Sequence, residues 1–116
     1  MVLKYGGKTY ALIFLWILLR GAVIMYIILV YDICMEDNGQ KVLGKVFKTC
    51  KKYLTHVQDS VFEGEVSDSQ LIKLKLEINS QLRNSKDSVI VFKTRQEKWL
   101  NKEFLGIQID KTSSFI

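Results

Sequence analysis

A chain of 116 residues is long enough for one domain and too short for two. At 48% hydrophobic and 25% charged it can bury a core of its own, which excludes a disordered chain and a scaffold that needs staples. The formal charge of +5 includes Lys4, Lys8 and Arg20, leaving residues 25–116 a net +2; that excludes a general polycation, so any nucleic-acid footprint must come from where charges are placed.

The first 24 residues read apart from the rest. Ala11–Leu19 is wholly apolar, Arg20 interrupts it, and a second apolar run follows from Gly21 to Tyr31. A signal peptide lacks a small-x-small cleavage site after Arg20. A membrane span over residues 11–31 would place Arg20 in mid-bilayer, at about 2.5–3.5 kcal/mol, and would consume Tyr26–Tyr31, which the domain needs as a strand. A third reading explains more: Met25 is the natural start. Arg20-Gly21 is then a purine-rich ribosome-binding sequence translated in frame, with Ala22–Ile24 as its spacer. Residues 1–24 are accordingly expected to be an extension upstream of a single domain over residues 25–116, with no membrane association and a cytoplasmic location.

Tyr26–Tyr31 is a continuous apolar, β-branched run ending in Asp32, the pattern of a buried central strand. Glu36–Gly39 is a turn. A helix is predicted from about Gln40 to Leu54, with Leu43, Val46, Phe47, Cys50 and Leu54 as its apolar stripe. Lys41, Lys45, Lys48 and Lys52 recur on another face, with Lys51 beside them. His56–Val66 is strand-like, one bent strand or two short ones, with no clear turn inside. Ser67 opens a second helix, Gln70 completes a capping box, and Leu71, Leu74, Ile78 and Leu82 form its buried stripe. Asn84–Asp87 is a loop, Ser88–Lys93 another buried strand, and residues 99–107 a late edge strand or strand pair. This order predicts an α+β fold with two helices on one face of a small antiparallel sheet, the split βαβ or ferredoxin-like arrangement, plus a late C-terminal strand. Cys34 and Cys50 are expected to be free thiols, and His56 cannot complete a zinc site with them at any familiar spacing.

Three stretches are more specific than the pattern: M-Y-I-I-L-V-Y-D-I at Met25–Ile33, L-T-H-V-Q-D-S-V-F-E-G-E-V at Leu54–Val66, and D-S-V-I-V-F-K at Asp87–Lys93. In this order and at these distances they resemble the small CRISPR-associated adaptation protein family, also described as CRISPR-associated endoribonucleases. Val66 stands where the family more often has Leu. The resemblance implies a ferredoxin-like homodimer that bridges the CRISPR integrase while a spacer is captured. It also implies a Mg²⁺-dependent nuclease activity on RNA or on duplex DNA.

Asp32 leads the candidate residues, as catalytic group and as metal ligand. It closes a buried strand, and the resemblance implies that it faces its twin across the dimer axis around Mg²⁺. Two close carboxylates repel unless a cation sits between them, and Mg²⁺ suits oxygen ligands. Against this stands the plainer role of capping the next loop. Glu36, Asp37 and Asn38 fail the EF-hand pattern and read as a solvated turn. Lys41, Lys45, Lys48 and Lys52 are candidates for nucleic-acid binding, helped by the absence of any acidic residue from Gln40 to Gln58; otherwise they form an ordinary solvated face. Tyr31 and Phe62 match family positions near the nuclease site, or are simply apolar strand residues. His56 is a general base or, more commonly for a lone histidine, structural. One Asp per chain is a thin catalytic apparatus, so two functions stand side by side: an Mg²⁺-dependent endonuclease, and a non-catalytic DNA-binding adaptor of the integrase.

Overall fold

The computed structural model of the protein describes residues 23–107. Strand β1 (Ile24–Asp32) leads into helix α1 (Gly39–Tyr53), strands β2 (Thr55–Gln58) and β3 (Val61–Ser67), helix α2 (Asp68–Gln81) and strand β4 (Ser88–Thr94), followed by a 3₁₀ turn over Glu97–Trp99. The strands form one antiparallel sheet in the order β2-β3-β1-β4, the predicted ferredoxin-like arrangement. β1 sits centrally because its apolar residues serve two faces. Ile27, Leu29 and Tyr31 point to the helices and are buried there with Val46, Cys50, Leu71, Leu74 and Ile78. Each such side chain stabilises the fold by roughly 1.5–3 kcal/mol. Burial also pushes the Cys50 thiol up to about 12, and both cysteines are free.

The second helix starts as its sequence requires. Gln70 N–H donates to Ser67 Oγ at 3.2 Å and Ser67 N–H to Gln70 Oε1 at 2.9 Å, which satisfies two helix-start donors reciprocally. β1 takes in Ile24, paired with Ser67, and Asp68 N–H donates to the Val23 carbonyl. The sheet thus reaches one residue past the expected boundary at Met25, and Val23 is tied to the start of α2; the rest of the expected extension lies outside the described residues.

One open expectation is decided and two change. Of the two forms open to His56–Val66, two short strands form, joined at Asp59-Ser60, with a bulge between His56 and Gln58. Asp59 takes φ +41°, which Asp tolerates, but Ser60 follows it where the common hairpin turn carries Gly, so the residue signal is weak. β4 is not a buried strand. It is an edge, and its Ile90 and Phe92 are each 55% exposed on the face away from the helices, because both helices cover the other face. The late C-terminal strand is absent: residues 100–107 form no strand. A strand exists only through a ladder partner. This segment instead reaches back over the open face of the sheet, where Lys102 Nζ donates to both carboxylate oxygens of the buried Glu63 at 2.7 and 2.6 Å.

Candidate functional site

Asp32 is the last residue of β1 and is exposed. Its neighbour on β4 is Ser88. Both sides of this position are held by one buried carboxylate. Asp87, whose side chain is fully buried, accepts hydrogen bonds from Cys34 N–H and Arg83 N–H, each at 2.9 Å, and from the Arg83 guanidinium at 2.8 and 2.9 Å. Arg83 uses its remaining donors on the carbonyls of Cys34, Glu36 and Asp37. These bonds hold the Asp87 carboxyl well below the usual carboxylate range, the Arg83 side chain contributing most. They also fix a tight loop after Asp32, with Asp37 and Asn38 in the left-handed region. Gly39 is required there, because a Cβ would lie 2.1 Å from the Cys34 carbonyl oxygen.

Asp32 opens on a groove of about 700 Å³. One wall comes from α1, through Gln40, Leu43, Gly44, Phe47 and Lys48; the other comes from Tyr31–Ile33 and from the β2–β3 turn at Asp59 and Ser60. The turn reaches β1 because Val30 pairs with Val61 and Tyr31 N–H donates to the Ser60 carbonyl at 3.2 Å. Asp59 is therefore a second carboxylate on the Asp32 groove. Its position 27 residues downstream gave no hint of this, since only the sheet register brings the two together. Of the two expected site neighbours, Tyr31 lines the groove, whereas Phe62 is fully buried behind it with ring centroids 6.0 Å apart. Phe62 can shape the wall but cannot touch a ligand. His56 packs on Phe47 and Phe62, and its Nε2–H donates to the Asp59 carbonyl at 2.8 Å, so it braces the turn.

Lys41, Lys45 and Lys48 are exposed on one side of α1 and enter no ion pair among the described residues. Lys48 borders the groove as well. Lys52, expected to join them, is committed to α2: it pairs with Glu77, which also accepts from Tyr53 Oη at 2.6 Å. The bonds from Lys52 and Tyr53 lower the Glu77 carboxyl.

Known proteins agree with this geometry. The family model for CRISPR associated protein Cas2 matches residues 25–102. The chain belongs to the Cas2 family. It is similar to the CRISPR-associated endoribonuclease Cas2 of Fusobacterium nucleatum, 47% identical over 92 residues that cover 79% of this chain and 87% of that protein. It is also similar to the CRISPR-associated endoribonuclease Cas2 2 of Moorella thermoacetica, 46% identical over 90 residues that cover 77% of this chain and 99% of that one. A crystal structure of Streptococcus pyogenes Cas2 superposes with a TM-score of 0.63 at 28% identity, over 70% of this chain and 99% of that one.

As a Cas2 chain taken alone, the described residues contain no group of three or more His, Cys, Asp or Glu side chains placed to hold a metal. Mg²⁺ is commonly held through one or two carboxylates with several waters retained. A single Asp32 fits that donor chemistry as one ligand of a shared site and falls short of a complete one. No helix among the described residues is long and apolar enough to cross a membrane.

Proposed function

We propose that this Cas2 chain acts in CRISPR spacer acquisition as a homodimer that binds nucleic acid, bridges the integrase, and cleaves phosphodiesters with Mg²⁺. The observation that carries the proposal is the position of Asp32. It stands exposed at the end of β1, near Lys48, which enters no ion pair among the described residues, and its place in the strand alternates with Ile28 and Val30 on the sheet face the helices leave open. Ile90 and Phe92 extend that apolar face. Stacking two such faces about a twofold axis near the end of β1 removes apolar surface from water and sets one Asp32 against the other. Two opposed carboxylates supply the ligand pair that one chain lacks. When bound there, Mg²⁺ would supply charge stabilisation at a phosphodiester and a more acidic water. The chain's own part is to fix the backbone that follows each Asp32 through the Arg83–Asp87 bonds and to hold the nucleic-acid backbone on Lys41, Lys45 and Lys48. RNA is the substrate class named for the relatives; duplex DNA is the class that the bridging role requires.

Replacing Asp32 by Asn tests the reading. The variant keeps its shape and should fold as well as the wild type, because it removes a charge that repels its twin. Mg²⁺-dependent cleavage should vanish while nucleic-acid binding persists. Cleavage at the wild-type rate sinks the metal assignment. The adaptor reading is favoured by a separate observation: Lys41, Lys45 and Lys48 are exposed, enter no ion pair among the described residues and need no metal to bind a phosphate backbone. It predicts that Asp32→Asn still joins the integrase and supports spacer insertion, and the two functions are compatible.

A further inference from the structure

Two side chains are buried where the helices cannot bury them. Tyr26 and Glu63, each 5% exposed, stand outside the core between sheet and helices. Tyr26 alternates with Ile27 in β1 and Glu63 with Phe62 in β3, so both point to the open face. Their cover is the segment that follows β4. Glu97 and Lys102 share a cavity of about 320 Å³ with Tyr26, Thr55, Glu63 and Glu65, and Lys102 Nζ donates to both Glu63 carboxylate oxygens. The last backbone hydrogen bond before Lys102, among the described residues, runs from Leu100 N–H to the Glu97 carbonyl. Beyond it Leu105 and Ile107 are 89% and 86% exposed. The segment is a strap with a charged anchor.

The open face is thereby divided. Its β1–β4 half carries exposed Ile90 and Phe92; its β2–β3 half carries Glu63 under the strap, with Glu65 and Glu97 beside it. The halves answer differently to a second copy. Stacking on the first removes apolar surface from water. Stacking on the second displaces the strap, takes Lys102 from Glu63 and leaves a desolvated carboxylate without its partner, among the like charges of both copies. A buried charge left alone costs far more than its pair contributed. An opened strap in water costs far less, because Glu63 and Lys102 are then both solvated. We propose that the Lys102–Glu63 latch guards assembly: it confines self-association to the β1–β4 half of the open face, and so keeps the stacking that sets one Asp32 against the other. This rests on reading the chain as a homodimer stacked through that face, and it adds what prevents the wrong stacking.

Sedimentation of the full chain over a range of concentrations tests it, with chymotrypsin cleavage within residues 97–107 as the readout of strap opening. Lys102→Ala should speed that cleavage about tenfold or more, the scale of one hydrogen-bonded charged contact, since cleavage follows the open population. It should nevertheless remain a dimer, because Glu63 still guards the face. Glu63→Leu should speed cleavage too and form species larger than the dimer, because the face it uncovers is now apolar. Should that variant fail to fold by circular dichroism, Glu63→Gln, which keeps the shape and removes the charge, carries the same expectation. The reversed pair, Glu63→Lys with Lys102→Glu, should restore both slow cleavage and the dimer. A Glu63 variant that stays dimeric with a rapidly cleaved strap overturns the proposal. So does Lys102→Ala that is cleaved at the wild-type rate, or that forms the larger species itself. Wild type that sediments as a monomer throughout removes the parent reading, and this inference with it.

Discussion

Asp87 shows how much one side chain can set. Its buried carboxylate ties the α2–β4 loop to the backbone just after Asp32, and Arg83 completes the tie from the other side. The charge matters as well as the shape. Because the folded-state pKa lies below the ordinary Asp value of about 3.9, the stability it contributes is fully present above that value. It is lost as pH falls toward the depressed folded value. Asp87→Asn keeps the size of the group and removes the charge facing Arg83. Urea unfolding at pH 7 should show the variant clearly less stable than wild type, and the gap should narrow at pH 2.5, where wild type is losing the same contribution. A gap of constant size at both pH values would mean that the packing of the group matters and its ionisation does not. Exposed Asp68, at the α2 start, supplies the control: its removal should change stability by no more than about 1 kcal/mol.

At the scale of elements, α1 has two working sides and the Lys41-Lys45-Lys48 row is the one that faces water. Its action should be through phosphate charge, without regard to base identity. Replacing all three by Ala should weaken duplex binding similarly for unrelated sequences. The plot of log affinity against log salt should flatten by about 0.9 for each phosphate that the variant no longer neutralises, read by titration at several salt concentrations. Lys52→Ala should leave that slope alone, since Lys52 already serves Glu77. The helices and their stripes were legible because their signals are local: Ser67 and Gln70 are three residues apart, and Leu71, Leu74 and Ile78 repeat with the helix. Asp32 was legible as the polar end of an apolar run. The β2–β3 turn was not, because Ser60 follows Asp59 where a hairpin usually shows Gly. Nor was the meeting of Asp32 with Asp59, or of Arg83 with Cys34, which depends on strand register and on loops brought together by the sheet. Lys52 misled for the same reason, as its partner lies on another helix.

At the largest scale, the decisive feature is a sheet that, among the described residues, carries helices on one face only. On the other, Ile90 and Phe92 stand exposed beside Ile28 and Val30, and residues 97–107 cover part of what remains. The run Ser88–Lys93 reads as a buried strand, which Ile90 and Phe92 become only if something covers the second face. In the proposed dimer a second copy would do so with its own identical patch, since a twofold interface is self-complementary. Its two edges, β2 and β4, would gain protection from the same contact. The C-terminal segment is anchored to this face by the Lys102–Glu63 pair, inside a cluster where burial and the Glu63 bond raise the Tyr26 hydroxyl pKa. Sedimentation of Phe92→Glu should therefore show a monomer, because a charge buried at the centre of an apolar interface is not tolerated, while its circular dichroism stays that of wild type, since Phe92 is half exposed in the single chain. Truncation after Arg95 should likewise give monomer or aggregate. Mg²⁺-dependent cleavage by Phe92→Glu should disappear along with the dimer, although Phe92 is no part of the groove, because each chain supplies one Asp32 only. A monomeric Phe92→Glu that still cleaves would show that the site is complete within one chain, and would move the search for its second ligand to Asp59.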